Sequence, residues 1–187
     1  MGKRVCPWWL GYFLASPLRR FLQDPGAMVA PYVHSGMTVL EPGPGMGFFT
    51  LEVARRVGPH GRVVALDVQP RMIGGLKRRL AKAGLLDRVE PRLVSADSLA
   101  LADLKGKVDF TLAMAVVHEM PTVSSFFRQA REAMKSGSLL LLIEPSGHVT
   151  EKEFQDELAA AADAGFAVID RPNMRRSHSA VLKNTAA

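Results

Sequence analysis

A short apolar run that ends in an acid, followed by three glycines at alternate positions, restricts the folds open to this chain more than any other stretch. Residues 37–51 read MTVLEPGPGMGFFTL, with Glu41 closing the run and Gly43, Gly45 and Gly47 following it. The run is β-branched at Thr38 and Val39, the pattern of a buried strand. The glycines permit a sharp turn and a close approach of backbone to a ligand. Beyond them FFTLEVARRV spaces its apolar residues at helical intervals, which predicts a helix starting near Gly47. Strand, glycine turn and helix N-terminus make a cradle of the nucleotide-binding type, whose exposed N–H groups favour an anionic group.

The following segments repeat the alternation. Strands are expected at residues 62–67, 89–97, 107–117 and 136–145, with Pro91 weakening the start of the second of these. Pro70 suits the first turn of a helix that Gly84 ends, SLALADL predicts a short helical piece, and residues 122–134 another helix. Thr150 and Glu153 form a capping box ahead of FQDELAAAADAG, closed by Gly165. Two last strands, 166–170 and 177–184, are joined by RPNMRRSH, too short for a parallel crossover, so an antiparallel hairpin on one edge is expected. Strict alternation over five strands predicts an α/β fold with a doubly wound parallel sheet and helices on both faces. Residues 1–36 read as a lead-in of short helices, one begun by Ser16 and Pro17, another by Asp24 and Pro25 and broken early by Pro31. Residues 37–187 complete a single domain.

Composition narrows the class. With 187 residues, 48% hydrophobic and 22% charged, the chain is expected to be one globular domain. One cysteine, Cys6, can form neither an internal disulfide nor a cysteine metal cluster, which fits a reducing cytoplasm and no metal site. The net charge of +6 is spread rather than gathered, so Arg19, Arg20, Lys77, Arg79, Arg175 and Arg176 read as solvated faces and not as a nucleic-acid track. Lys3 and Arg4 before WWLGYFLAS superficially resemble a signal peptide, but the apolar run is short and passes straight into SPLRRF, so it reads as part of the mature fold. No stretch approaches the ~18 apolar residues of a membrane span, and no membrane partner is expected.

Ligands of an open parallel sheet bind beyond the carboxyl ends of the strands. Glu41 stands there on the first strand, and Asp67 ends the second, 20 residues after Gly47, the distance at which an acid meets ribose hydroxyls. Asp97 ends the third, placed to accept from an exocyclic amine such as that of adenine. Alternatively, Asp67 and Asp97 simply cap the helices that follow.

In order, LEPGPGMG, ALDVQP, SADSL, VDFTLAMAVVHEM and SGSLLLLIEP resemble the successive motifs of class I S-adenosylmethionine-dependent methyltransferases, over roughly residues 35–184. The resemblance implies a seven-stranded sheet with an antiparallel final hairpin, S-adenosylmethionine as cofactor and S-adenosylhomocysteine as product. It implies that Glu41, Gly43 and Gly45 approach the methionyl part, Asp67 the ribose, Val68 the adenine face, and Asp97 with Ser98 its amine. Ala113 and Met114 would line the reactive side. Pro44 departs from many members, removing a backbone donor while stiffening the turn. A nicotinamide dinucleotide site is the competing reading, but its fingerprint wants glycine or alanine where Phe48 stands.

Methyl transfer needs a base only when the acceptor must lose a proton. His118 and Glu119 follow the fourth strand and His148 the fifth, all on the ligand-facing edge. His118 is the candidate base, with Glu119 or another acid to orient it, and Glu119 and His148 are candidate pocket residues; a loop-capping role is the plainer alternative for either histidine. Trp8, Trp9, Tyr12 and Phe13 stand where family members often place a cap over the acceptor pocket, and packing at the sheet edge is the alternative. Strand four ends in AMAV rather than the Asn/Asp-Pro-Pro-aromatic signature of amino-methylating nucleic-acid enzymes, and no cysteine stands near a strand end. A small-molecule acceptor is therefore favoured over RNA or protein, with homo-oligomer formation left open.

Overall fold

A computed structural model describes residues 23–185, which fall into two compact units, 23–94 and 95–185. Trp8, Trp9, Tyr12, Phe13 and the helix expected at Ser16 and Pro17 lie outside the described residues. Seven strands form one sheet in the order β3-β2-β1-β4-β5-β7-β6. They are β1 (Thr38–Pro42), β2 (Arg62–Asp67), β3 (Val89–Leu93), β4 (Val108–Met114), β5 (Met134–Pro145), β6 (Phe166–Asp170) and β7 (Ser177–Asn184).

In the first unit β1 pairs parallel with β2, and β2 with β3. Helix α1 (Pro25–Val29) begins as its residues predict, with Asp24 Oδ1 accepting from Gly26 N and Ala27 N and Pro25 in the first turn. Helices α2 (Thr50–Val57) and α3 (Pro70–Ala83) pack against this three-stranded portion, burying Val53, Ala54 and Val57 from one and Met72, Ile73, Leu76 and Leu80 from the other. Gly84 ends α3 in the left-handed conformation, as expected. Two boundaries differ from expectation. Helix α2 starts at Thr50 rather than near Gly47, because Gly47 has φ +84° and the turn runs on through Phe48 and Phe49. Strand β3 stops at Leu93 rather than residue 97, because its partner β2 ends at Asp67, whose carbonyl accepts the last bond from Val94 N. Pro91 is tolerated because β3 is an edge strand.

In the second unit β4 pairs parallel with β5, β5 antiparallel with β7, and β7 antiparallel with β6. The final pair is antiparallel as expected, with β7 inside the sheet and β6 at the edge. Strand β4 is shorter than expected at both ends, β5 starts two residues earlier, and of SLALADL only Ala102–Leu104 coils, as a 3-10 turn. Helices α4 (Val123–Ala133) and α5 (Glu151–Asp163) pack on one another and on β5 and β6. The capping box is present: Thr150 Oγ1 accepts from Glu153 N, and Glu153 Oε2 accepts from Thr150 N. No helix among the described residues is long and apolar enough to cross a membrane.

Candidate active site

The glycine turn is built from β1 and held from below. Gly43 N donates to Leu66 O at 2.8 Å, tying the turn to β2, and Gly47 N donates to Pro44 O at 2.9 Å, closing it. Pro44 thus serves the turn through its carbonyl, which its missing N–H does not affect. Gly45 and Gly47 both have positive φ but face different surroundings. A Cβ on Gly47 would stand 2.5 Å from Leu76 Cδ1, whereas one on Gly45 would meet nothing within 4 Å among the described residues. One side of the turn is therefore packed and the other open. Met46 is seated over Gly75, where a Cβ would lie 2.8 Å from its Cγ, and its carbonyl accepts from Arg79 Nη1 at 2.5 Å.

Glu41, at the end of β1, is 4% exposed, and its Oε2 has no hydrogen-bond partner among the described residues. Burial pushes its carboxyl up to about 7, with the Thr50 hydroxyl a smaller opposing influence, although Thr50 Oγ1 makes no hydrogen bond of ordinary geometry among the described residues. Asp67 ends β2 and is also buried. Its Oδ1 accepts from Gln69 N at 2.8 Å, and the N–H groups of Gly45 and Val68 also face the carboxylate. Burial raises it to about 6 against these three donors, so near neutrality it is mostly ionised. It organises the start of α3 and is tied to the glycine turn at once. Val68, beside it, is exposed. Phe48 is buried and packs edge-on against Phe49 with ring centroids 5.2 Å apart. The close glycine contact of a dinucleotide site has no counterpart there.

In the second unit Asp97 lies in a turn past β3, since β3 ends early, and is exposed. It lines a cavity of about 190 Å3 with Leu99, Met120, Thr122, Ser125 and Gln129. Ser98 Oγ accepts from Ala100 N at 3.2 Å and shapes this turn rather than lining the cavity. Ala113 is buried within β4 and Met114 half-buried at its end. Ala115 then has φ +52°, a strained value for a side-chain-bearing residue, with its N–H donating to Ile143 O at 2.7 Å. That reversal starts the 3-10 turn Val117–Glu119 that carries His118.

His118 is brought to an acid, but chiefly to Glu144 rather than Glu119. His118 Nδ1 lies 2.5 Å from Glu144 Oε2, while Glu144 Oε1 accepts from Val117 N at 2.7 Å. Glu119 Oε1 is 4.0 Å from His118 Nε2, and the rings of His118 and His148 are 6.2 Å apart. Burial pulls the imidazole down, but the hydrogen bond and charge of Glu144, with Glu119 and Glu157, outweigh it, and the net shift is upward. Glu144, fully buried, and Glu157, buried on α5, were not singled out by the residue patterns. The signal for Glu144 was the one that selected Glu41 and Asp67, an acid closing an apolar strand. Among the described residues no cluster of three or more His, Cys, Asp or Glu could hold a metal ion.

A methyltransferase-domain family model matches residues 33–175. The chain is 30% identical over 129 residues to an arsenite methyltransferase of Halobacterium salinarum, covering 69% of this chain and 32% of that protein. It is 26% identical over 118 residues to the ubiquinone/menaquinone biosynthesis C-methyltransferase UbiE of Brucella abortus, covering 63% and 43%. The chain thus spans less than half the length of these curated relatives. A crystal structure of a SAM-dependent methyltransferase from Aquifex aeolicus superposes with a TM-score of 0.84 at 24% identity, over 96% of this chain and 98% of that one. The glycine turn, the acids at the ends of β1 and β2 and the matched family model lead to one assignment: the chain belongs to the methyltransferase-domain family and has the Rossmann-like fold of class I S-adenosylmethionine-dependent methyltransferases.

Proposed function

We propose that the chain transfers a methyl group from S-adenosylmethionine to a small-molecule acceptor. The observation that carries this reading is Glu41, a buried carboxylate whose Oε2 lacks a partner among the described residues, at the mouth of a turn that those residues leave open at Gly45. An orphaned acid there fits a ligand bringing a cationic donor, and the methionyl ammonium is one. Glu41, Gly43, Pro44 and Gly45 would hold that end, and Asp67, mostly ionised, would accept from the ribose hydroxyls. Val68 would cover the adenine, Asp97 would face its amine from the turn that Ser98 shapes, and Ala113 and Met114 would line the reactive side. When bound, the cofactor supplies an activated methyl group for in-line displacement, so alignment and exclusion of water account for much of the catalysis. His118 would take the acceptor's proton, with Glu119 and His148 in the acceptor pocket. The names of the two curated relatives, for arsenite and for quinone biosynthesis, support a small acceptor. With one cysteine in this chain, chemistry that uses several thiols on arsenic is not carried over. The same cysteine count supports a cytoplasmic location.

Calorimetric titration with S-adenosylmethionine and with NAD tests the cofactor: saturable binding of the first alone is expected, and the reverse overturns the reading. Incubation with methyl-labelled cofactor and a fractionated cell extract then identifies the acceptor. Label confined to RNA or protein would refute the small-molecule part.

A further inference from the structure

Glu144 sits in the apolar run LLLLIEP of β5 with no exposed surface. A carboxylate in such a place is costly unless fully hydrogen-bonded. Both of its oxygens are engaged: Oε1 accepts from Val117 N at 2.7 Å, with His118 N at 3.4 Å, and Oε2 meets His118 Nδ1 at 2.5 Å. An ionised carboxylate only accepts, so Nδ1 carries a hydrogen. In the neutral imidazole, the lone pair is then on Nε2, and the ring retains partial exposure, 22% for the side chain. Glu144 thereby sets the tautomer and the ring orientation, while its bond to Val117 N fixes the turn on which His118 rides.

We propose that Glu144 is the positioning residue of a His118 base, and that the pair selects neutral acceptors that must shed a proton from oxygen or carbon, of the phenol, enol or β-dicarbonyl class. This rests on the methyl-transfer reading and adds the residue that prepares the base and the chemistry the acceptor needs. Around the imidazole stand Glu144 from β5, Glu119 from its own turn, Glu157 from α5 and the His148 ring, an acid-rich setting that stabilises the imidazolium formed on proton uptake. An acceptor already ionised, such as a carboxylate or thiolate, has no proton to give and makes no use of the base. In the step, the acceptor's O–H or C–H proton passes to Nε2. The electron pair left behind bonds to the methyl carbon, and the donor's S–CH3 bond breaks with its pair remaining on sulfur as a neutral thioether. The imidazolium returns its proton to water.

Glu144→Gln tests this. The glutamine carbonyl can still accept from Val117 N–H, but its NH2 faces Nδ1 and demands the other tautomer, with Nε2–H outward. Nitrogen NMR of the cofactor-free protein is expected to show Nδ1–H in the native chain and Nε2–H in the variant, with a lower imidazole titration. With the acceptor identified from extract, kcat is expected to fall about 100-fold or more at unchanged cofactor affinity, and the native rise in rate through the His118 titration to disappear. A native Nε2–H tautomer, or a switched tautomer with unchanged kcat, overturns the proposal. Should the variant not fold, the native NMR titration alone decides the tautomer. A product methylated on a thiol or carboxylate overturns the acceptor class. Failure of the native protein to bind S-adenosylmethionine overturns the methyl-transfer reading and leaves the tautomer measurement standing separately.

Discussion

Replacing Glu41 with glutamine separates the cost of burying this acid from its use. Its carboxyl titrates near 7 in the folded chain against an ordinary 4.5, because burial disfavours the ionised form. At 1.36 kcal/mol per pKa unit, ionised Glu41 costs the folded state about 3 kcal/mol. Below pH 4.5 the group is protonated in both states and the cost is absent. Between 4.5 and about 7 the unfolded chain ionises while the folded one keeps its proton, so stability falls as pH rises, and above about 7 the full cost applies. Glu41→Gln lacks that slope. Its unmet amide donors cost something, so a gain of roughly 1–3 kcal/mol at pH 8 is expected, raising Tm by several degrees for a chain of this size. Cofactor affinity should fall about 10- to 100-fold in the same variant, the loss of one charged hydrogen bond. The assay is urea unfolding of both proteins from pH 4 to 8.5, with calorimetric titration of S-adenosylmethionine. The stability curves should converge at the acid end and diverge above it. Parallel curves would refute the buried-charge argument, and undiminished affinity would refute the role in binding.

Three other perturbations test neighbouring parts of the structure. Arg79→Met removes the donor to the Met46 carbonyl and should weaken cofactor binding about tenfold by calorimetry, with little change in Tm. Gly61→Ala would place a Cβ 2.6 Å from Val57 O and 2.7 Å from Met37 O, both main-chain atoms, and should cost about 1–3 kcal/mol in urea unfolding. Thr150→Ala breaks the capping box of α5 and should lower the urea midpoint by the equivalent of about 1 kcal/mol at unchanged m-value.

Local features of the chain were legible because their causes are local. Asp24 with Pro25, Gly84, and Thr150 with Glu153 mark helix ends through bonds reaching three or four residues, and each holds in the structure. Boundaries set by a partner were not. The end of β3 depends on where β2 stops, so VEPRLVSAD looked like one continuous strand and Asp97 like its last residue. The start of α2 depends on how far the turn continues past Gly47, and Phe48 and Phe49 fit a helix pattern equally well. In the site, Glu41, Asp67 and His118 stood out by position. Glu144 holds the same kind of position, an acid closing an apolar strand, but its pairing with His118 is not legible, because that partner is 26 residues away and the parallel register of Met114 with Ile143 is what brings the turn after β4 beside it. Glu157 is three residues from Phe154 and one from Leu158, an acid on the buried face of an amphipathic helix. That pattern is legible in the sequence.

The place of β7 between β5 and β6 has a consequence for synthesis. Strand β5 has β4 on one side, but its other side is closed only by residues 177–184, made well after β5 itself. At roughly 5–20 residues per second, the Leu139–Ile143 portion of a nascent chain carries an open apolar edge for several seconds. A ribosome stalled short of residue 177 would hold a sheet that chaperones should recognise. One that has released residues up to 184 would not.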